Sequence, residues 1–315
     1  MSLRVLVTGA GGFVGRVLLQ RLLDDGLGGK RVDALVACDL GMEGLPKDAR
    51  ITLVEGSVAD PKVLGKALRH PVQVVFHLAS VPGGAAEKDP VLARRVNLDA
   101  TVQLLERLQL QGGRPRFVFA STVAVYGETL PLVVNEQTPP RPALSYGAHK
   151  LCSEVMVADA DRRCWVQGCS LRLPGVVARP GEGAGLMSAF MSQLFWKLKA
   201  GEVITLPVTA EGTAWWISVG ACVDNLIHAA GLDSATLGVD RVVQMPAQWL
   251  SMIQVIDALV QTYGADRRAL VRFTPQPLVQ RLFASLPPLS TPQALALGFA
   301  HDGSALALVR RATTD

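Results

Sequence analysis

The chain has 315 residues, enough to bury a substantial core as one large domain or two moderate ones. Apolar residues make up 49% and charged residues 18%, which excludes a disordered tail and predicts a folded globule. The net charge of +4 is scattered, Arg162-Arg163 being its densest basic cluster. No basic run is interleaved with aromatics, which argues against nucleic acid as a partner. No apolar stretch approaches the ~18 residues of a membrane span, so no membrane partner is expected. The first strand is expected close to Leu3, which leaves no room for a signal peptide. Cys38, Cys152, Cys164, Cys169 and Cys222 form no C-x-x-C pair and no cluster with zinc spacing. They read as reduced thiols of a cytoplasmic protein, small apolar core residues, with no metal site.

Short β-branched runs alternate with helical stretches through the first half. Strands are expected at Arg4-Thr8, Val32-Cys38, Ile51-Glu55, Val72-His77, Phe117-Ser121 and Gln167-Leu173. Helical spacing appears at Phe13-Leu23, Pro61-Leu68, Pro90-Leu110 and Ser145-Asp159. Strands apolar on both faces and separated by helices predict an α/β fold with a doubly wound parallel sheet. After Leu173 the rhythm changes. Pro174, Pro180, Gly181, Gly183 and Gly185 mark a loop, followed by a helix near Leu186-Lys199, a strand at Ala214-Val219 and a helix near Cys222-Gly231. The expected division is a Rossmann-type nucleotide-binding domain over 1–173, with a returning segment near 213–245. The segments 174–212 and 246–315 are then a smaller C-terminal substrate-binding cap.

The first strand runs straight into Gly9-Ala10-Gly11-Gly12-Phe13-Val14-Gly15. The fingerprint G-x-G-x-x-G fails because its last place is Val14, while G-x-x-G-x-x-G fits through Gly9, Gly12 and Gly15. Gly9 suits a tight turn, Gly12 lets backbone approach a pyrophosphate, and Gly15 lets the helix pack closely. The N–H groups of the helix start, at Phe13 and Val14, then face the phosphates. Asp39 ends the second strand, where a carboxylate accepts bonds from ribose hydroxyls and repels a 2′-phosphate. With no Arg directly after it, NAD is the expected cofactor.

Ser145-Tyr146-Gly147-Ala148-His149-Lys150 opens a helical stretch that puts Tyr146 and Lys150 on one face, one turn apart. A neighbouring ammonium favours the phenolate and brings a tyrosine toward working range as a base. The buried strand before it ends in two adjacent hydroxyls, Ser121 and Thr122, suited to holding a substrate oxygen.

T-G-x-x-G-x-x-G, then His77-Leu78-Ala79, then S-T-x-x-V-Y-G from Ser121, then Y-G-x-x-K from Tyr146 follow in that order. This set, over roughly residues 3–245, resembles the extended short-chain dehydrogenase/reductase (NAD-dependent epimerase/dehydratase) family. The resemblance implies Thr122, Tyr146 and Lys150 as catalytic residues, with Ser121 beside them. It implies Leu78 and Ala79 along the pyrophosphate, Ser57 and Val58 near the adenine, and Pro174 as a further cofactor contact. Asn97 takes the family's structural asparagine position, His77 reads as strand-end packing, and a homodimer is the implied assembly.

Many family members act on nucleotide sugars. Val123-Ala124 stands where the 4,6-dehydratases carry Asp-Glu, and Leu171-Pro180 lacks their Asn-containing turn. Thr213-Val219 lacks the arginine that grips a diphosphate. The segments 172–180, 186–188, 214–219 and 223–228 instead resemble the members that oxidise the 2-hydroxyl of a small sugar acid, a D-erythronate-like aldonate. Ser80, Ser121, Thr122, Tyr146, Arg179 and Trp215 are the implied substrate residues, Arg179 as the carboxylate's cation. Trp215 and Trp216 point to opposite faces of a strand, so at most one walls a pocket. Nucleotide-sugar 4-epimerisation is the alternative, and a non-catalytic dinucleotide sensor a minor one.

Overall fold

The computed structural model describes residues 2–181 and 186–314. Gly183 and Gly185, expected in a loop, lie outside the described residues. The chain runs through β1 (Arg4–Thr8), α1 (Phe13–Asp24), β2 (Ala34–Asp39), β3 (Ile51–Glu55), α2 (Pro61–Ala67) and β4 (Val74–His77). Short helices α3 (Gly83–Lys88) and α4 (Pro90–Arg94) lead through a π-helical turn, Arg95–Asp99, into α5 (Ala100–Gln111) and β5 (Arg116–Thr122). Next come β6 (Val134–Asn135), α6 (Ser145–Arg162), β7 (Gln167–Leu173), β8 (Gly175–Val177), α7 (Ala189–Ala200) and β9 (Ile204–Leu206). Then follow β10 (Thr213–Ser218), α8 (Val219–Gly231), β11 (Val242–Gln244), β12 (Gln248–Ser251) and α9 (Met252–Tyr263). The chain finishes with β13 (Val271–Phe273), α10 (Pro277–Phe283), β14 (Leu289–Ser290), α11 (Pro292–Ala296) and α12 (Ala305–Thr314).

Two compact units result. The first comprises Met1–Val125, Pro142–Arg172 and Val223–Val243; the second Tyr126–Arg141, Leu173–Cys222 and Gln244–Asp315. Seven strands join one sheet in the order β11-β7-β5-β4-β1-β2-β3. β1 is parallel to β2 and β4, β2 to β3, and β4 to β5. The order reverses between β1 and β4, the switch point at whose carboxyl ends open α/β sheets take ligands. All four residues of β4, and four of five in β1, are buried, as central strands require. Leu6, Val75, Phe117 and Phe119 pack with Leu104 and Leu108 of α5 and Val157 of α6 to form this unit's core.

In the second unit β10 pairs parallel with β8 and antiparallel with β12. Its core gathers Phe195 of α7, Trp216 of β10, Leu259 of α9 and Leu308 of α12. Ser251 and Gln254 close a capping box at the start of α9. Residues 213–222, expected to return to the nucleotide-binding domain, belong to the second unit, because β10 pairs with β8 and β12 and takes no place in the large sheet. The single helix expected over Pro90-Leu110 is broken by the π-helical turn at Asn97, whose carbonyl accepts the Thr101 and Ser153 hydroxyls. Val219, expected at a strand end, starts α8, with Ala221 N–H donating to Ser218 Oγ.

Cys38, Cys169 and Cys222 are buried as expected, whereas Cys152 and Cys164 are exposed. Cys152 lies on the outward face of α6, and Cys164 in the turn that follows that helix. Burial pushes the Cys38 and Cys169 thiols up to about 12. Among the described residues no cluster could hold a metal ion, and no helix is long and apolar enough to cross a membrane.

His77 closes β4 fully enclosed, its Nδ1 2.6 Å from Thr8 Oγ1 and its Nε2 3.0 Å from Thr101 Oγ1. Phe119 stacks on the ring. Thr101 gives its proton to the Asn97 carbonyl, so it accepts from Nε2–H, and Nδ1 accepts from Thr8; the tautomer is assigned from this network. Burial, then the Lys150 charge, pushes the ring down to about 3. Below its ordinary value near 6.5 the unfolded chain takes a proton that the folded one refuses until about 3. Stability from this site is therefore complete above that upper value and declines as pH falls, by up to about 1.4 kcal/mol per pH unit. In urea titrations at neutral and at mildly acidic pH, His77→Asn should lose that part of the acid destabilisation. A variant as acid-sensitive as the native chain would remove His77 from the account.

Candidate active site

The glycine loop links β1 to α1. Gly9 has φ +72°, and a Cβ there would meet Ala79 N at 2.7 Å. A Cβ on Gly15 would lie 2.1 Å from Gly9 O, so α1 approaches the loop only because that side chain is absent. Gly12 is the exposed N-cap of α1 and offers no side-chain cap; Phe13 and Val14, half-buried, form that first turn. Gly11, which the fingerprint leaves as a variable place, is constrained as tightly as the others. Its Cβ would sit 2.3 Å from Gly41 O, and its N–H donates to Asp39 Oδ2 at 2.8 Å. Asp39 Oδ1 accepts Leu40 N–H at 2.6 Å, so the carboxylate is fixed at the end of β2 by the loops on both sides. A small-residue cradle at a helix N-terminus, with an anchored acid beside it, fits a dinucleotide with a free ribose diol.

The other cofactor candidates of this unit follow β3 and β4. Ser57 is half-buried, its Oγ accepting Ala59 N–H at 3.2 Å, and Val58 is buried. Leu78 N–H donates to Thr8 O at 3.0 Å, Ala79 is half-buried beside it, and Ser80 is exposed. The segment then reaches Val81, whose N–H donates to Asn97 Oδ1 at 2.7 Å while its carbonyl accepts Asn97 Nδ2 at 2.9 Å.

β5 and α6 meet at the remaining residues. Gly147 makes this possible, for a Cβ there would stand 2.5 Å from Ala124 O. The start of α6 is held by Glu87 of α3, which accepts Ser145 N–H at 2.7 Å. Lys150 is only 1% exposed; its Nζ donates to Ala120 O at 2.7 Å and lies 4.6 Å over the Phe119 ring and 5.9 Å from the Tyr146 ring centre. Burial pushes this lysine down to about 7, with Glu154 acting to raise it. Tyr146 is half-buried, and Ser121 and Thr122 are buried. Thr122 Oγ1 accepts Ala124 N–H at 3.1 Å, which leaves its proton to donate elsewhere. Ser121 donates to Glu154 at 2.5 Å, and Glu154 is clamped by Arg172 of β7. Neither Glu154 nor Arg172 carries a motif, although an acid four places after Lys150 was a readable signal. The structure thus gathers Ser121, Thr122, Tyr146 and Lys150 where one strand ends and one helix begins.

Pro174, Arg179 and Trp215 belong to the second unit. Pro174 is buried. Arg179 is half-buried, its N–H donating to Ser192 Oγ and its carbonyl accepting Trp196 Nε1–H. Trp215 is 2% exposed, its indole N–H given to Pro287 O at 2.7 Å and its ring edge-on to Tyr126. Trp216 packs in this unit's hydrophobic cluster, its N–H bound to Leu250 O.

Residues 5–235 match the NAD dependent epimerase/dehydratase family. The D-erythronate dehydrogenase of Cupriavidus necator is 37% identical over 96% of this chain and 95% of its own length. That of Haemophilus influenzae is 30% identical over 96% of each. The crystal structure of a nucleoside-diphosphate-sugar epimerase from Agrobacterium tumefaciens superposes with a TM-score of 0.92 at 30% identity, covering 98% of this chain and 92% of that one. Cradle, sheet order and kinship agree: the chain belongs to the NAD-dependent epimerase/dehydratase family and is an NAD-dependent oxidoreductase of the extended short-chain dehydrogenase/reductase type.

Proposed function

We propose that the chain oxidises the 2-hydroxyl of a small sugar acid, of the D-erythronate class, to the 2-keto acid. The observation that carries this reading is the likeness to two D-erythronate dehydrogenases along nearly the whole length of each chain. Thr213–Ser218 supports it, since this strand has no cation to receive a diphosphate. Nucleotide-sugar epimerisation is the second reading, favoured by the Agrobacterium structure.

In the proposed mechanism Tyr146 takes the hydroxyl proton. Lys150 stabilises the phenolate by its charge, which acts strongly because the ammonium is enclosed. Thr122, with its lone pair committed to Ala124 N–H, donates to the substrate oxygen and orients it. Bound NAD supplies the hydride acceptor. Gly9, Gly12 and Gly15 would cradle its pyrophosphate, and Asp39 would receive the ribose hydroxyls.

Asp39 should favour NAD over NADP by at least about tenfold, ~1.4 kcal/mol. Leu40 is 71% exposed, so Asp39→Ala with Leu40→Arg should turn the preference toward NADP in direct binding titrations. Equal native affinity for both cofactors would refute the assignment of Asp39.

Tyr146→Phe should lower turnover by a factor on the order of 10²–10⁴ with NAD affinity nearly intact. A screen of four- to six-carbon aldonates with NAD, run beside nucleotide sugars, tests the reaction itself. Turnover of a nucleotide sugar and of no aldonate would replace the first reading by the second.

The carboxylate of a sugar acid needs a cation, and Arg179 is the one we propose. A charge-assisted bond of ~1.5–3 kcal/mol makes Arg179→Ala raise KM for the acid roughly 10–150-fold, with NAD binding unchanged. An unaltered KM would pass the role to another residue.

A further inference from the structure

Glu154 follows Lys150 by one turn of α6 and is 2% exposed. Its Oε1 accepts Ser121 Oγ–H at 2.5 Å and Arg172 Nε–H at 3.0 Å, and its Oε2 accepts Arg172 Nη2–H at 2.7 Å. Arg172 is 7% exposed, so the ion pair is enclosed on both sides. A pair so buried is weak evidence for stability, because its desolvation rivals its attraction and apolar side chains pack as well. What sets it apart is its neighbours: one oxygen touches Ser121, and the carboxylate stands one turn of α6 beyond Lys150, where its charge favours the ammonium.

β5 presents Phe119 and the Ala120 carbonyl, β4 presents the neutral His77, and β7 carries Arg172, which pairs with Glu154. α6 contributes Tyr146, His149 and Glu154, while Asn97 of the π-helical turn accepts from Ser153 of α6 and Thr101 of α5 lies against His77. Arg94, Asp99 and Glu87 act on His149. Among the described residues, Glu154 is the anion whose charge favours the Lys150 ammonium.

We propose that Glu154 is a positioning residue: clamped by Arg172, it supplies the counter-charge of buried Lys150 and commits the Ser121 proton inward. Ser121 is then left as an acceptor, while Thr122 beside it is left as a donor. Two adjacent hydroxyls thus present opposite polarity to whatever binds there. Burial drives Lys150 toward its neutral form, and the Glu154 carboxylate opposes that loss. The inference rests on Tyr146 being the proton acceptor.

The test reads Tyr146 directly, by tyrosinate ultraviolet absorbance of the cofactor-free protein across pH. The chain holds three tyrosines, so each titration is corrected by the same background carrying Tyr146→Phe. Glu154→Gln should move the Tyr146 ionisation upward by about half a pH unit or more, roughly threefold in the equilibrium. The rising limb of the kcat–pH profile should move the same way. Glu154→Gln leaves Arg172 buried without its anion, so a second variant, Glu154→Leu with Arg172→Met, replaces the pair by apolar side chains. It should melt cooperatively near the native temperature and still ionise Tyr146 at raised pH. If it melts like the native chain and ionises Tyr146 at the native pH, Glu154 only holds the fold and this inference alone is overturned. If the native chain shows no Tyr146 ionisation below the ordinary tyrosine range, the proton-acceptor assignment falls, and this inference with it.

Discussion

The whole site depends on how closely the first turn of α6 lies on the backbone that leaves β5. Gly147 stands where a single added carbon would press against Ala124 O at 2.5 Å, so no side chain separates the two segments. That contact is what lets Lys150 reach the Ala120 carbonyl and disappear from solvent. Enclosure works in two directions. It removes the water that would screen the ammonium, which strengthens its hold on a nearby phenol, and it penalises the same charge, which brings the lysine down to about 7. Anything that loosened the helix would relieve the penalty and weaken the effect together.

What the sequence reveals here is what is local. Gly9, Gly12 and Gly15 are legible because their spacing follows the turn and first coil of a helix, and Tyr146 and Lys150 because one helical turn separates them. Gly11 is hidden because its constraint is the carbonyl of Gly41, brought in from beyond the next strand. Glu154 and Arg172 lie 18 positions apart on a helix and a strand, and only the sheet order makes them partners. Glu87 caps α6 from a short helix whose own existence has no periodic signal. β6 and β14 are two-residue pieces with nothing to alternate.

The second unit is harder to read for the same reason. Alternation along β10 sets Trp215 and Trp216 on different neighbours, Tyr126 and Phe195, and it cannot say that both indoles spend their N–H groups on backbone carbonyls. Nor does the run of residues 213–222 announce which sheet it joins. Pairing with Gly175–Val177 and Gln248–Ser251 decides that, and both partners are too short to be marked by pattern.

Asn97 holds Val81 by both its N–H and its carbonyl, a two-point grip on the segment that follows β4. Its own carbonyl is secured in turn by the hydroxyls of Thr101 and Ser153. Leu78, Ala79 and Ser80 are therefore tethered at both ends, by the Thr8 carbonyl on one side and by this asparagine on the other. The conformational entropy of that segment is surrendered when the chain folds. Any ligand that met this segment would be spared the cost of ordering it.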